Sequence, residues 1–380
     1  MSASATPGPA GRRARVAVVF GGRSSEHAIS CVTAAGVLRA IDRTRWDVVP
    51  IGVTRTGRWV LAADDPARWE ITGGRLPEVP AEGGDVVVPL STGQRELVVL
   101  EPGEVPRALG AVDVVLPLLH GPYGEDGTVQ GLLELGDVRY VGSGVLSSAL
   151  SMDKHYMKLV LAGSGLPVGA HTVLLPGQWE ADRAACRARV DALGYPVFVK
   201  PARAGSSIGI TRVAGPEGLD AAVAAASEHD PKVVVEAGLQ AREIECGVLE
   251  DPDGGPPEAS LPGEIVVTSE RHEFYDFDAK YLAEDGAVRL DCPADLPPGT
   301  SDAVRELAVR AFTAMGCEGL ARVDLFLTAD GRLVVNEINT MPGFTPVSMF
   351  PRMWQATGLD YRGLVDRLLT LALRRPTGLR

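Results

Sequence analysis

Short uninterrupted apolar runs alternate with stretches of helical periodicity along this chain, and that alternation predicts a mixed α/β protein. Val16-Ala17-Val18-Val19-Phe20 reads as a buried strand, followed by Gly21-Gly22-Arg23-Ser24-Ser25-Glu26 and a helix whose apolar face includes Ile29, Val32, Val37, Leu38 and Ile41. Further strands are expected at Asp47 to Val53 and Asp113 to Leu119, which makes the N-terminal part an open α/β sheet. Between them, from about Ala62 to Gly110, Pro, Gly and acids dominate and an elaborated excursion is expected. A helix begins near Ser151-Met152-Asp153-Lys154, with Ser151 or Asp153 as its cap. A second unit follows: a strand from Pro196 to Lys200, a Gly/Ser loop from Arg203 to Gly209, an Ala-rich helix from Leu219 to Ala226, and a strand from Lys232 to Glu236. After a surface turn at Asp251 to Pro257 the chain resumes with strands, a helix from Asp302 to Met315 and an amphipathic helix from Tyr361 to Leu373.

The densest chemistry lies on a predicted hairpin. Val323, Leu325 and Leu327 alternate with Arg322, Asp324 and Phe326, Ala329-Asp330-Gly331 supplies a turn, and Leu333 to Ile338 returns as an apolar strand. Side chains two apart share a face, so Arg322 pairs with Asp324 and Glu337 with Asn339. Two carboxylates, an amide and a guanidinium can then converge ahead of a Pro-Gly turn. Such hard oxygen donors suit Mg²⁺ completed by waters and substrate phosphates. The competing reading is a solvated surface hairpin, which does not explain why polar residues interrupt two hydrophobic strands.

Composition narrows the class. The chain has 380 residues, enough for two or three domains, and its hydrophobic share of 45% is that of a folded protein rather than a disordered one. A net charge of -12 excludes a general grip on nucleic acid or an anionic membrane, so phosphate binding must be local. Five scattered cysteines without a C-x-x-C spacing signal neither a disulfide framework nor zinc, and point to a reducing cytoplasmic setting. Residues 1–14 read as a flexible tail, and no run approaches the roughly 20 apolar residues of a membrane span.

A nucleotide site is also suggested. Lys200 ends a strand and meets the loop Ala202 to Gly209, in which Gly205 and Gly209 permit close backbone approach while Ser206 and Ser207 add hydroxyl donors. The lysine precedes the glycines, so this is not a P-loop. An ordinary turn is the competing reading of the loop alone. Lys154 is a second phosphate ligand if it is not simply solvated, and Glu236-Ala237-Gly238-Leu239 can offer backbone groups to adenine, with Glu243 toward a ribose hydroxyl. The Gly21-Gly22 turn lacks G-x-G-x-x-G and carries an acid where a pyrophosphate would sit, which argues against a nicotinamide-dependent oxidoreductase.

The order Lys154, Lys200 with its loop, Glu236 to Glu243, Asp324 and Glu337-x-Asn339 resembles the ATP-grasp ligases, and more narrowly the D-alanine–D-alanine ligase family. The narrower likeness rests on Gly21 to Glu26, His120-Gly121 with Gly124-Glu125-Asp126-Gly127, Gly142-Ser143-Gly144, Ser151 to Lys154, Phe274 to Tyr281 and Asn336 to Thr345. It implies an N-terminal open α/β domain over 15–142 holding the first substrate, and two ATP-grasp lobes over 143–239 and 240–380 that clamp ATP, with a lid near 268–285. It also implies ligation of two D-alanines through an acylphosphate for peptidoglycan precursors, in a cytoplasmic homodimer. The cofactor is Mg²⁺ or Mn²⁺, two ions per site, held by Asp324, Glu337 and Asn339.

Carried onto this chain, the resemblance gives Glu26 the first ammonium, with Ser206 linking it to Tyr281 of the lid. His120 contacts substrate. Lys154, Lys200, Ser206, Ser207, Glu236, Ala237, Leu239 and Glu243 take ATP, Arg322 and the Gly343 N–H stabilise the oxyanion, and Lys280, Ser348 and Met349 lie near the second carboxylate. Taken singly, Glu26 also suits a helix N-terminus, His120 a loop hydrogen bond and Tyr281 simple packing. Ala204, Ala237 and Met349 depart from residues common in the family. A ligase with a D-lactate or D-serine acceptor, a peptide or antibiotic-pathway ligase, and an inert nucleotide-binding regulator are the alternatives.

Overall fold

The computed structural model describes residues 12–87, 96–101, 103–267 and 288–377. Three sheets organise them. The first has β1 (Ala14–Gly21), β2 (Trp46–Val53), β3 (Trp59–Leu61), β4 (Asp85–Val87), β5 (Glu96–Leu100), β6 (Arg107–Ala111) and β7 (Val114–Pro117), in the order β6-β5-β4-β3-β2-β1-β7. β1 runs parallel to β2 and β7, and the helix His27–Ala40 makes the crossover from β1 to β2. Both faces of β1 are covered, which is why its sequence is apolar without alternation. Val16, Val18 and Phe20 join one core with Cys31, Val37 and Leu38 of the helix, while Ala17 and Val19 join another with Ile51, Val115 and Leu133.

The excursion expected between Ala62 and Gly110 is partly sheet. Its described part contains β4, β5 and β6, which extend the first sheet as antiparallel strands. Long apolar runs are absent there because the strands are short and alternate, with Val86, Leu97 and Val99 inward and their neighbours outward.

The second sheet is antiparallel, β10-β9-β11-β8, from β8 (His171–Leu174), β9 (Val197–Pro201), β10 (Thr211–Val213) and β11 (Val233–Ala237). Val197, Val199, Val233 and Val235 face the helices Arg183–Asp191 and Leu219–Ser227, which leaves Phe198, Lys200 and Glu236 on the opposite face. The third sheet comprises β12 (Ala241–Leu249), β13 (Glu258–Ala259), β14 (Gly263–Val267), β15 (Val288–Asp291), β16 (Leu320–Thr328) and β17 (Leu333–Asn339), ordered β15-β14-β12-β16-β17 with β13 against β12. Ile244, Val323, Leu325 and Ile338 bury against Met157 and Leu161 of the helix Lys154–Gly163 and against Val304, Ala308 and Phe312 of the helix Thr300–Ala314. Asp153 caps the former, accepting from the N–H groups of His155 at 3.1 Å and Tyr156 at 3.4 Å. Ser151 instead belongs to a separate helix, Val145–Met152.

The C-terminal helices Met349–Thr357 and Tyr361–Arg374 close the molecule against the first sheet: Phe350, Trp354, Leu364 and Leu368 share a core with Val18 and Phe20. β12 admits Trp354 only through a glycine, since a Cβ on Gly247 would lie 2.8 Å from Trp354 Nε1. Among the described residues no helix is long and apolar enough to cross a membrane, and all five cysteines are free thiols. Trp354→Ala should lower unfolding stability by about 3–5 kcal/mol, the usual cost of emptying a large aromatic site, read as a shifted midpoint in urea denaturation.

Candidate active site

A cleft of about 1040 Å³ opens where the three sheets meet, and groups from each line it. β1 and β7 are adjacent and parallel, so the loops leaving their carboxyl ends bring Glu26 and His120 to one place. Glu26 is 7% exposed and accepts a hydrogen bond from Ser206 Oγ across the cleft. Its side chain makes no cap bond to the helix that follows, so the helix-terminus reading of this residue does not describe its contacts. Gly121, at φ +71°, lies so close that a Cβ would sit 2.7 Å from Glu26 Oε2. The His120 ring is buried, with Nδ1 3.2 Å from the Met341 carbonyl. Burial lowers its pKa, against an opposing pull from the Glu26 charge. Glu125 accepts from the Gly121 N–H at 2.6 Å and is pushed up to about 8, by burial first and by Glu26 second.

The Gly/Ser loop carries two consecutive non-glycine residues in the left-handed region, Ser206 at φ +48° and Ser207 at φ +58°. Both line the cleft, as do Ala237, Leu239 and Glu243. Lys154 Nζ donates to the Ala204 carbonyl at 2.8 Å and lies 3.7 Å from Glu337 Oε2, spanning from the loop to the hairpin. Lys200 Nζ donates to Glu236 Oε2 at 2.8 Å, a diagonal pair across β9 and β11. Burial disfavours both charges, yet the pairing wins: Lys200 is held above the ordinary lysine value and Glu236 well below the usual carboxylate range. Phe198, Ile210 and Leu239 give this end of the cleft an apolar wall suited to a flat ring.

On the third sheet the register places Arg322 opposite Asn339 and Asp324 opposite Glu337, so the four polar groups do share a face. Arg322 grips Asp324 with two bonds of 2.7 Å, and its Nε lies 3.2 Å from Glu245 Oε1. Asn339 Nδ2 donates to Asp324 Oδ2 at 2.9 Å. Burial alone would lower the Arg322 pKa, but Asp324 and Glu245 hold it well above the ordinary value. Two carboxylates and an amide form a donor set that fits Mg²⁺ or Mn²⁺, and a half-turn of the Asn339 amide puts its oxygen where its nitrogen stands. Among the described residues no three His, Cys, Asp or Glu side chains form a metal cluster, so the chain offers a partial shell.

Gly343, Ser348 and Met349 line the same cleft. A Cβ on Gly343 would lie 3.4 Å from Ser348 Oγ, which is itself 2.7 Å from Thr345 Oγ1, and Met349 packs against Gly263. Lys280 and Tyr281, with the rest of the expected lid, lie outside the described residues. Three residues to which sequence reasoning assigned no role also line the cleft, Glu125 of the Gly124 to Gly127 motif, Glu245 and Phe198, while Lys158 lies buried behind its wall. Lys158 follows Lys154 by one helical turn and is buried on the same helix as Met157 and Leu161.

A family profile described as D-ala D-ala ligase N-terminus matches residues 15–143, and one described as D-ala D-ala ligase C-terminus matches residues 160–370. The chain is 68% identical over 372 residues to a D-alanine–D-alanine ligase of Kineococcus radiotolerans, covering 96% of this chain and 98% of that one. It is 59% identical to the D-alanine–D-alanine ligase of Streptomyces avermitilis, covering 97% and 96%. Among solved structures it is similar to the VanG D-Ala:D-Ser ligase from Enterococcus faecalis, at TM-score 0.80 and 34% identity over 95% of this chain and all of that one. The D-alanine-D-alanine ligase from Coxiella burnetii follows at 0.78 and 32%, over 95% and 94%.

Glu125 sets a pH dependence. Its carboxyl titrates near 4.5 when unfolded and near 8 when folded, so the folded state holds the proton longer. Its stabilising contribution is complete below the unfolded value and is lost as pH rises to about 8. Glu125→Gln should flatten that fall, seen as a parent-minus-variant stability difference that drifts between those limits in denaturation series and is constant outside them.

Proposed function

The chain belongs to the D-alanine–D-alanine ligase family, and we propose that its cleft performs the ligation with the residues placed above in the following roles. The protein is an ATP-dependent ligase that joins two D-alanines. The observation that carries the residue assignment is the meeting of Glu26, the Lys154 and Lys200 ammoniums and the Asp324–Glu337 pair in one cleft drawn from three sheets.

Glu26 binds the ammonium of the first D-alanine, a charge-assisted contact for which its buried carboxylate is well placed. His120 orients the same substrate. The substrate carboxylate attacks the γ-phosphorus of ATP and displaces ADP, giving an acylphosphate. Lys154 and Lys200 hold the phosphates for this transfer, with Ser206, Ser207 and the loop N–H groups around them. Phe198 and Leu239 flank adenine, backbone groups at Glu236, Ala237 and Leu239 bond its edge, and Glu243 takes the ribose. Asp324, Glu337 and Asn339 would hold Mg²⁺ or Mn²⁺, two ions, whose bound charge neutralises phosphate oxygens.

The amine of the second D-alanine then attacks the acyl carbon. Arg322 and the Gly343 N–H stabilise the resulting oxyanion before phosphate departs. Ser348 and Met349 lie at the second carboxylate together with Lys280, and Tyr281 belongs to a lid over 268–285 that keeps water from the acylphosphate. The domain limits 15–142, 143–239 and 240–380, a homodimer and a cytoplasmic location form part of this reading, as does supply of the dipeptide to peptidoglycan synthesis.

The test is release of ADP and phosphate by purified protein with ATP, Mg²⁺ and D-alanine, against L-alanine, D-serine and D-lactate, with products identified by mass. Coupled release with D-alanyl-D-alanine as product is expected, and a preferred D-serine or D-lactate acceptor would overturn the specificity. Glu337→Gln and Lys200→Ala should keep a folded circular-dichroism spectrum while kcat falls about 10²–10³-fold, the scale of losing one charge-stabilising group. Full turnover in either variant would remove that residue from its role.

A further inference from the structure

Lys158 is 1% exposed, does not line the cleft, and has no part in the roles assigned above. Its Nζ lies 3.0 Å from Glu236 Oε1, the oxygen that Lys200 does not use, and 3.3 Å from the carbonyl of Asn336. Asn336 is itself unusual. Asp324 pairs with Glu337 and the next residue, Leu325, pairs with Val335, so Asn336 is the extra residue of a β-bulge. Its carbonyl is turned to a buried ammonium on the helix beneath.

Charge counting gives this arrangement a consequence. Lys158 and Lys200 carry two positive charges around the single negative charge of Glu236, so the cluster is net positive at the cleft wall. The charges of Glu337 and Glu243 also act on Lys200. Without Lys158, Lys200 and Glu236 would form a neutral pair beside those further acids, and little attraction for a polyphosphate would remain at that wall.

We propose that Lys158 is a positioning residue for nucleotide binding: by occupying one oxygen of Glu236 it leaves the Lys200 charge available to the phosphates, and by holding the Asn336 carbonyl it ties that carboxylate to the bulge beside Glu337. The inference rests on the reading of the cleft as an ATP site. It separates the phosphate end of the nucleotide from the ring end, because only the first responds to the lost charge.

The experiment measures the dissociation constants of ATP and of adenosine by calorimetry for the parent, Lys158→Met, Lys158→Arg and the double variant Lys158→Met/Glu236→Gln. Lys158→Met should weaken ATP about tenfold, the scale of one charge-assisted contact, with adenosine changed less than about twofold on the same scale. Lys158→Arg and the double variant restore the net charge and should return the ATP-to-adenosine ratio to near the parent's. A ratio unchanged in Lys158→Met, or a parallel loss of both ligands, overturns the proposal and leaves Lys158 a structural residue. Should Lys158→Met not fold, the double variant decides: a parental ratio supports the charge argument and a tenfold fall refutes it. Failure of the parent to bind ATP at all would instead refute the reading of the cleft.

Discussion

Two carboxylates, Asp324 and Glu337, face each other directly across β16 and β17, and the cleft is arranged to keep them there. Like charges in register destabilise a sheet unless something compensates. Here Arg322 and Asn339 take the oxygens of Asp324, and Lys154 reaches toward Glu337. Lys154 alone of these reaches beyond the sheet, opening the helix packed beneath it and bonding the Gly/Ser loop, while Arg322 is braced within the sheet by Glu245 of β12. Through Lys154 the pair is tied to the Gly/Ser loop of the second sheet, and a divalent ion with substrate phosphates would meet a shell already oriented.

A second balance is struck at Glu236. A carboxylate buried so deeply is stable in its charged form only because two lysines share it, one from the neighbouring strand and one from the helix Lys154–Gly163. The helix consequently sends its first residue to the metal end and its fifth to the nucleotide end. One rigid element, capped by Asp153, fixes the distance between the two ends of the site.

The substrate end is built differently. Glu26 and His120 come from loops at the carboxyl ends of two adjacent parallel strands, and their proximity depends on strand order. Glu26 meets Ser206 of the Gly/Ser loop that follows β9, a contact between residues 180 apart in the chain. Burial of several ionisable groups together drives the His120 pKa down and the Glu125 carboxyl up. Such opposed displacements mark a site where desolvation, rather than solvent exposure, governs charge.

Much of this was legible in the chain. Buried strands such as Val16 to Phe20 and Val233 to Val235 announce themselves as apolar runs, and the hairpin from Arg322 to Asn339 is written in its alternation and its Asp-Gly turn. Period-two geometry alone puts Arg322 with Asp324 and Glu337 with Asn339. The short strands β4 to β6 and the helix Val145–Met152 were not legible, because short elements carry too few periodic positions to stand out from polar loops. Lys158 and Glu245 were hidden for another reason. A lysine or glutamate in sequence is by default a solvated charge, and only the packing of a second element against it reveals that it is buried and paired. Local pattern therefore determined the strands, the turn and the chemistry available on each face. Tertiary structure decided which faces meet, which charges leave water and the bulge at Asn336, since those depend on contacts between segments far apart in sequence.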